Sequence, residues 1–147
     1  MTQESTALNQ QDPAAILVDL DGTLALRGSR SPYDWASVSS DTVNEPVMEI
    51  VKLLADASYT IIVVSGRDEV CRDDSVQWLD EHLGKQYLLL MRSRGDNRRD
   101  ELVKAEFWQW ITAQGFQVKL ALDDRNRCVD LWRAFGVTTL QVAPGDF

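Results

Sequence analysis

Residues 16–24 read ILVDLDGTL, an apolar run that ends in two aspartates and a Gly-Thr pair. The apolar run is typical of a central strand that is covered on both faces. Because a buried carboxylate is costly unless a donor or a cation compensates it, we expect Asp19 and Asp21 to lie where the strand ends. Both residues could instead cap the following turn, since Asp and Gly are common in turns. Their spacing of two positions before Gly22 and Thr23 favours a binding role.

Composition limits the class of protein. The chain has 147 residues and a formal net charge of −8, which argues against a general nucleic-acid coat protein. Two cysteines without ligand spacing, and an amino terminus without an apolar signal segment, favour the reducing cytoplasm. No apolar run reaches the length of a membrane span. We expect residues 1–13 to form a flexible tail and residues 14–147 to form one domain.

Strand and helix patterns alternate along the chain. Five apolar segments predict strands, at residues 15–20, 60–64, 87–91, 118–122 and 138–142. Between them, apolar residues at helical spacing predict helices near 47–54, 76–83, 102–111 and 129–135. The alternation predicts an α/β fold, a Rossmann-like parallel sheet of about five strands with helices on both faces. Residues 25–40 are predicted to be a long loop, and the gaps leave no room for a large cap domain.

Unusual polar residues follow three of the predicted strands. Asp19 and Asp21 follow the first, Ser65 to Arg67 follow the second, and Asp123 and Asp124 follow the fourth. Open parallel sheets bind ligands beyond the carboxyl ends of their strands. Four carboxylates in one crevice would repel each other unless a cation lay among them, and Mg²⁺ prefers such oxygen ligands. A magnesium site in turn usually implies a phosphate substrate.

Two basic features add to this pattern. Lys104 follows Asp100 by four residues in a predicted helix, so the two side chains share a face and can pair. The helix could place the Lys104 ammonium over the acidic site, although a surface ion pair would show the same spacing. The segment 92–99, RSRGDNRR, carries four arginines. Composition alone favours a solvated loop that balances nearby acids.

The motifs, taken together, resemble a known superfamily. DLDGT at 19–23, VVSGR at 63–67, Lys104 and LDD at 122–124 resemble, in order and spacing, the haloacid dehalogenase superfamily of phosphotransferases. Four longer stretches, at 19–35, 61–69, 92–108 and 120–137, are similar to the 3′-phosphatase domain of bacteriophage polynucleotide kinase/phosphatase. The similarity covers nearly all of residues 15–147. The chain contains no GxxxxGK[ST] phosphate loop, so we expect it to lack the kinase half of that enzyme.

The resemblance implies roles for the acidic residues. Asp19 would be the nucleophile that forms an aspartyl-phosphate, and Asp21 would be the general acid and base. Mg²⁺ would bind to Asp19, to the backbone carbonyl of Asp21 and to a carboxylate of the Asp123-Asp124 pair. The family pattern favours Asp124 as the ligand and Asp123 as its support, but the sequence alone does not separate them.

The same resemblance implies groups that bind the phosphate. Ser65 and the following amides, beginning with that of Gly66, would hold a phosphoryl oxygen. Lys104 would neutralise charge that develops in the transition state, and Asp100 would orient Lys104.

Arginines and aromatic residues extend the predicted site. The resemblance makes Arg30, Arg67 and Arg92 contacts to the substrate phosphate or its neighbours, since a guanidinium suits phosphate well. Tyr33 and Trp35 could stack on a terminal base, or could equally pack the loop onto the domain.

The function that these expectations favour is a Mg²⁺-dependent polynucleotide 3′-phosphatase that repairs DNA or RNA ends. A phosphatase of the same superfamily that acts on nucleotides or other small molecules is an alternative. A receiver-like regulatory module, whose aspartate accepts phosphate, is a third and weaker interpretation, because DxDGT supplies an extra acid that turnover needs. A kinase or ligase could be a partner, the oligomeric state stays open, and the location would be the cytoplasm, or the host cytoplasm if a phage encodes the chain.

Overall fold

A computed structural model describes residues 13–147 of the chain, so most of the predicted tail at 1–13 lies outside the described residues. Seven strands lie within these described residues: β1 Ala14–Asp19, β2 Ala25–Leu26, β3 Thr42–Val43, β4 Thr60–Asp68, β5 Leu88–Arg92, β6 Gln117–Asp123 and β7 Thr139–Gln141. The helices are α1 Glu45–Asp56, α2 Arg72–His82, α3 Asp100–Ala113 and α4 Asn126–Ala134. Short 3-10 helices span Trp35–Ser40 and Glu69–Cys71.

Five of the strands form one parallel sheet in the order β5-β4-β1-β6-β7. Strands β4 and β5 lie on one side of β1, and β6 and β7 lie on the other side. Strand β1 is therefore the central strand of the sheet. Its two neighbours in the sheet are β4 and β6, and the carboxyl ends of all three lie at the same edge. This topology brings distant segments of the sequence together at one edge of the sheet.

Helices cover both faces of the sheet. On one face, α1 and α2 bury Met48, Val51, Trp78 and Leu79 against alternate residues of β1 and β4. On the other face, α3 and α4 bury Ile111 and Trp132 against the intervening residues. The central strands have continuous apolar sequences because side chains on both of their faces are buried. Burial of each aliphatic side chain stabilises the folded state by roughly 1.5–3 kcal/mol. The predicted α/β sheet with helices on both faces is therefore confirmed.

The segment from 25 to 40 differs from its prediction as a long loop. Its first residues form β2, which pairs antiparallel with β3, and its end forms the 3-10 helix Trp35–Ser40. Apolar anchors at Leu24, Ala25 and Val38 are fully buried and hold the segment against the domain. Among the described residues 13–147, no separate cap domain covers the carboxyl edge of the sheet. No helix among these residues is long and apolar enough to cross a membrane.

The second predicted strand is longer than its apolar run. Strand β4 extends to Asp68, so Ser65, Gly66 and Arg67 are among its last residues and do not follow it. Its register against β5 shifts between Ser65 and Asp68. The prediction relied on apolar residues, and the last residues of β4 are mostly polar. The predicted strand therefore ended at Val64.

Candidate active site

A cleft of about 730 Å³ opens at the carboxyl edge of the sheet. Asp19 is the last residue of β1, Asp123 is the last residue of β6, and Asp124 follows it directly. Lys104 reaches the same place from the second turn of α3, and Asp21 lies just beyond β1. The structure therefore brings together the acidic residues that the sequence places at strand ends and the lysine that it places in a helix.

Lys104 joins the two central strands through their terminal aspartates. Its side chain is 2% exposed, and its Nζ donates to Oδ1 of Asp19 at 2.9 Å and to Oδ2 of Asp123 at 2.8 Å. The second oxygen of Asp19 accepts a hydrogen bond from the Thr23 hydroxyl at 3.2 Å. A buried ammonium needs such partners, because an unpaired charge in the interior is very costly.

Burial and charge shift the acidity of these groups in opposing ways. Burial raises the pKa of Asp19 well above its usual value, although Lys104 opposes the rise and Asp123 and Asp124 add to it. Burial alone would lower the pKa of Lys104, but Asp123 and Asp19 hold it well above its usual value. The pKa of Asp124 is also raised, chiefly by burial. The site thus concentrates carboxylates whose charged forms an added cation would stabilise.

Asp123 is saturated by donors from the protein. Its side chain accepts four hydrogen bonds, from Lys104 Nζ, from Trp132 Nε1 at 3.1 Å, and from the backbone amides of residues 124 and 125. Trp132 is fully buried. Its polar contact with Asp123 was not predicted, since a tryptophan at a helical core position shows no sign of which acceptor its indole meets.

Asp124 is bonded much more weakly. Its one side-chain donor within the described part of the chain is the Thr23 hydroxyl, at 3.5 Å. Carboxylate oxygens of Asp19, Asp123 and Asp124 lie within 4.8 Å of one another and could hold a metal ion. Gly22, with a φ of 82°, packs so closely that an added Cβ would lie 2.1 Å from Oδ2 of Asp124. The tight approach fixes the Asp124 side chain against the DxDGT turn.

Asp21 is held by two buried arginines. Nη2 of Arg67 lies 2.7 Å from Oδ1 of Asp21, and Nη2 of Arg30 lies 3.4 Å from the same oxygen. Both arginines also bind Asp41, Arg67 at 2.7 Å and Arg30 through a two-point contact with both distances at 2.8 Å. Arg67 makes a further bond to Ser75 at 2.9 Å. We name Asp21, Arg30, Asp41 and Arg67 the arginine clamp.

The sequence did not predict Asp41 as a residue of the site. Its side chain is 0% exposed in the structure. It follows two serines and precedes a helix start, a context in which an aspartate usually caps or solvates a turn. The signal that could have pointed to it is indirect. Two buried arginines require two carboxylates, but burial of arginine is not visible in a sequence.

Asp100 does not pair with Lys104 as expected, and this prediction was wrong. As the first residue of α3, Asp100 instead accepts hydrogen bonds from Arg92 and, at 2.8 Å, from Nη1 of Arg125. Lys104 turns into the interior, where Asp19 and Asp123 compensate its charge. Helical spacing places two side chains on one face, but stronger buried partners decide which contact forms.

Arg92 holds the arginine-rich loop in shape. Its guanidinium donates to the carbonyls of Gly66, Asp96 and Arg98 as well as to Asp100. All of these acceptors belong to the protein itself, so a contact between Arg92 and a substrate stays a prediction. Gly66 fits closely here, since an added Cβ would lie 2.6 Å from Oδ1 of Asp100.

Ser65 is fully buried directly before Gly66, which lines the cleft, and its hydroxyl accepts a hydrogen bond from the Arg67 amide at 3.1 Å. The hydroxyl hydrogen of Ser65 therefore stays available for another acceptor.

A central strand that ends in DxDGT, a buried lysine between two strand-end aspartates and a third carboxylate beside them define a phosphatase of the haloacid dehalogenase superfamily. The family model described as the polynucleotide kinase PNKP phosphatase domain matches residues 13–147. The chain belongs to this family and is a phosphomonoesterase. The predicted superfamily and enzyme class are confirmed.

Known relatives agree with this membership. A protein of Autographa californica nuclear polyhedrosis virus, described as a bifunctional polynucleotide kinase/RNA ligase, is 34% identical over 131 residues, which are 87% of this chain and 19% of that protein. A solved structure of the Pnkp1/Rnl/Hen1 complex matches with 35% identity and a TM-score of 0.89, over 95% of this chain and 49% of the other. A second, of the Pnkp1/Rnl/Hen1 RNA repair complex, matches with 36% identity and a TM-score of 0.87, over 94% and 46%. The chain thus spans about half or less of these relatives.

A class C acid phosphatase from Bacillus anthracis shares the fold alone. It is 16% identical, with a TM-score of 0.65 over 99% of this chain and 72% of that one.

Proposed function

We propose that this chain is a Mg²⁺-dependent phosphatase that removes the terminal 3′-phosphate of DNA or RNA through an aspartyl-phosphate intermediate. The observation that carries the proposal is the convergence of Asp19, Asp21, Lys104 and Asp124 in one cleft. The family of polynucleotide kinase phosphatase domains supports a polynucleotide substrate.

In the first step, an oxygen of Asp19 forms a bond to phosphorus and the bond to the 3′ oxygen breaks. Asp21 donates a proton to the leaving oxygen, which becomes the free 3′-hydroxyl. In the second step, water attacks the aspartyl-phosphate while Asp21 takes a proton from it, so Asp19 and inorganic phosphate are released. The arginine clamp supports the position of Asp21 in these steps, because it fixes the carboxylate while leaving that side chain 34% exposed at the cleft.

Asp19 and Asp124 would hold Mg²⁺ through their side chains, and Asp21 would add its backbone carbonyl. Their oxygens are hard ligands in a place where burial raises the pKa of Asp19 and of Asp124, so a divalent cation fits the donor set. The ion would supply charge neutralisation between nucleophile and phosphate when bound. Asp123 would act as support, because its four hydrogen bonds already occupy its oxygens. Asp124, which accepts a single long bond, would be the ligand.

Lys104 and Ser65 would bind phosphoryl oxygens. An ammonium has three N–H donors, and the protein uses two of those of Lys104. Ser65 accepts a bond from the Arg67 amide and keeps its own hydrogen to donate. The Gly66 amide would add a backbone donor. These groups would stabilise charge that develops on the phosphoryl group in the transition state.

A kinase or a ligase is the kind of partner that this activity would need, since both act on polynucleotide ends. The relatives support this part of the proposal, because one is described as a kinase/RNA ligase and two come from a Pnkp1/Rnl/Hen1 complex. An end-repair role in the cytoplasm is the setting that we propose.

The test measures phosphate release from a 3′-phosphorylated oligonucleotide, a 5′-phosphorylated oligonucleotide and a 3′-mononucleotide, each with Mg²⁺ and with a chelator. We expect release from the 3′ end alone among the oligonucleotides, lost with chelator and restored by Mg²⁺. Asp19→Asn should abolish release, whereas Asp130→Asn, which changes an exposed carboxylate of α4, should not. Release from the mononucleotide alone would overturn the polynucleotide substrate, and an active Asp19→Asn enzyme with an intact fold would overturn the nucleophile.

A further inference from the structure

The mouth of the cleft exposes a large aromatic side chain, Tyr33. Tyr33 is 81% exposed and lines the cleft together with Trp35. The two rings meet edge to face, with centroids 6.3 Å apart and an interplanar angle of 90°. Trp35 is half-buried and packs against the apolar core. Within this pair of rings, Trp35 thus anchors the segment, while Tyr33 presents its ring to solvent at the entrance of the site.

Exposed arginines lie around the same entrance, although the chain is acidic with a net charge of −8. Arg98 is neutralised by Asp96 and Glu106, and Arg99 pairs with Glu101.

Arg27 and Arg127 differ from these two. Across residues 13–147, neither of them forms an ion pair with a carboxylate side chain, and Arg127 donates to the backbone carbonyl of Phe147 at 2.9 Å. Arg27 lies in the segment after β1 and Arg127 lies in the first turn of α4, so two separate elements supply cations to one entrance.

We propose that Tyr33, Arg27 and Arg127 form a binding rim for the end of a polynucleotide, with Tyr33 stacked on the terminal base. The inference rests on the proposed function, and it assigns the contacts beyond the terminal phosphate. An aromatic face stacks on any base, so the rim would bind ends of different sequence. Guanidinium groups that pair with no carboxylate side chain among residues 13–147 are suited to the phosphates that precede the terminal nucleotide.

The arrangement also separates chemistry from substrate choice. The buried arginines Arg30 and Arg67 are committed to Asp21 and Asp41, whereas Arg27 and Arg127 are exposed and lie at the entrance. A substrate that is only a small phosphate ester would reach the acidic floor without touching the rim. Loss of the rim should therefore lower the rate on polynucleotide ends and leave hydrolysis of a small ester intact.

The first experiment compares two 3′-phosphorylated oligonucleotides that differ only in the terminal base, which is present in one and absent (abasic) in the other. For the normal substrate, Tyr33→Ala should lower kcat/KM by roughly 5- to 150-fold, the range for one base–aromatic stack. Tyr33→Phe keeps the ring and should retain the wild-type value. The wild-type enzyme should lose a similar factor on the abasic substrate, and Tyr33→Ala should lose nothing further there.

Equal activity of Tyr33→Ala and wild type on the normal oligonucleotide would overturn the stacking contact. An equal loss on the normal and the abasic substrate would also overturn it, because a structural role of Tyr33 would affect both alike. If the wild-type enzyme hydrolyses a 3′-mononucleotide but neither oligonucleotide, the proposed function fails instead. The two failures are thus distinguishable.

The second experiment tests the arginines through the salt dependence of oligonucleotide binding. Each phosphate contact to a single strand contributes about 0.7 to the slope of log affinity against log salt concentration. Arg27→Gln and Arg127→Gln should each reduce the slope by about that amount. Lys52→Gln removes an exposed cation of α1 that does not line the cleft, and should leave the slope unchanged. An unchanged slope in both arginine variants would overturn their part in the rim.

Discussion

Replacing Asp41 by alanine should destabilise the protein much more than removal of an exposed carboxylate. The Asp41 side chain is 0% exposed and binds Arg30 at 2.8 Å and Arg67 at 2.7 Å. In the arginine clamp, two guanidinium groups share two carboxylates, so the buried charges balance. Without Asp41, two buried cations would face Asp21 alone. Because removal of one partner of a buried pair costs about 3–5 kcal/mol, we expect the free energy of unfolding to fall by that amount.

Urea-induced unfolding, followed by tryptophan fluorescence, would measure this loss. The five tryptophans supply the signal, and the dependence on urea should keep its slope. The melting temperature should fall by roughly 6–20 °C, at about 2–4 °C per kcal/mol. The control is Glu69→Ala, which breaks a pair with Arg72 whose side chains are 44% and 41% exposed. That change should cost less than about 1 kcal/mol.

A second variant tests the charge balance directly. Adding Arg30→Met to Asp41→Ala leaves Arg67 and Asp21 as a matched pair, so we expect the double variant to be more stable than Asp41→Ala alone. Replacement of a buried ion pair by apolar groups is often neutral, whereas removal of one partner is not. Two results would show that the buried charges of the clamp do not need to balance. In one, Asp41→Ala lowers the free energy of unfolding no more than Glu69→Ala does. In the other, adding Arg30→Met to Asp41→Ala lowers the free energy of unfolding further.

Three further predictions test other contacts. Gly22→Ala should reduce phosphate release severely, because its Cβ would lie 2.1 Å from Oδ2 of Asp124 at a φ of 82°; a wild-type rate would contradict this. Trp132→Phe removes an indole donor to the strand-end carboxylate of β6 and should lower the free energy of unfolding by about 1–3 kcal/mol, measured in urea. Carboxyl NMR should show that the pKa of Asp68 lies below its ordinary value of 3.8, chiefly because the Gly95 amide donates to it. Since this pKa is lowered in the folded state, its contribution to stability is present above the unfolded value and is lost as the pH falls through the folded one; a midpoint at or above 3.8 would refute it.

The sheet and the acidic floor of the site follow from short-range sequence patterns. Apolar segments of strand length predict β1, β4 and β6, and the rule for parallel sheets then places Asp19 and Asp123 at one edge. No distance information is needed for that step, because parallel topology converts the position of a residue in its strand into a position in space. This is why the metal-binding candidates could be predicted before their geometry was known.

The partners of the charged residues could not be predicted in the same way. Asp100 lies four residues before Lys104, yet it pairs with Arg92 and Arg125. Asp41 pairs with Arg67, which is 26 residues away in the sequence. The sequence does not distinguish this buried arginine from an arginine at the surface. Such choices depend on which charges become buried together, and burial is a property of the folded chain.

The contrast between Asp124 and the other carboxylates explains how one cleft can be both rigid and reactive. Asp21 and Asp123 are each fixed by several donors of the protein, so they need no rearrangement when a substrate arrives. Fixed charges of this kind stabilise a transition state without a reorganisation cost at the moment of reaction. Asp124 is positioned by close contact with Gly22 and by one long hydrogen bond from Thr23, an arrangement that suits the cation that we propose. The arginine clamp thus fixes Asp21, and the sparse bonding of Asp124 would leave its oxygens accessible to the proposed Mg²⁺.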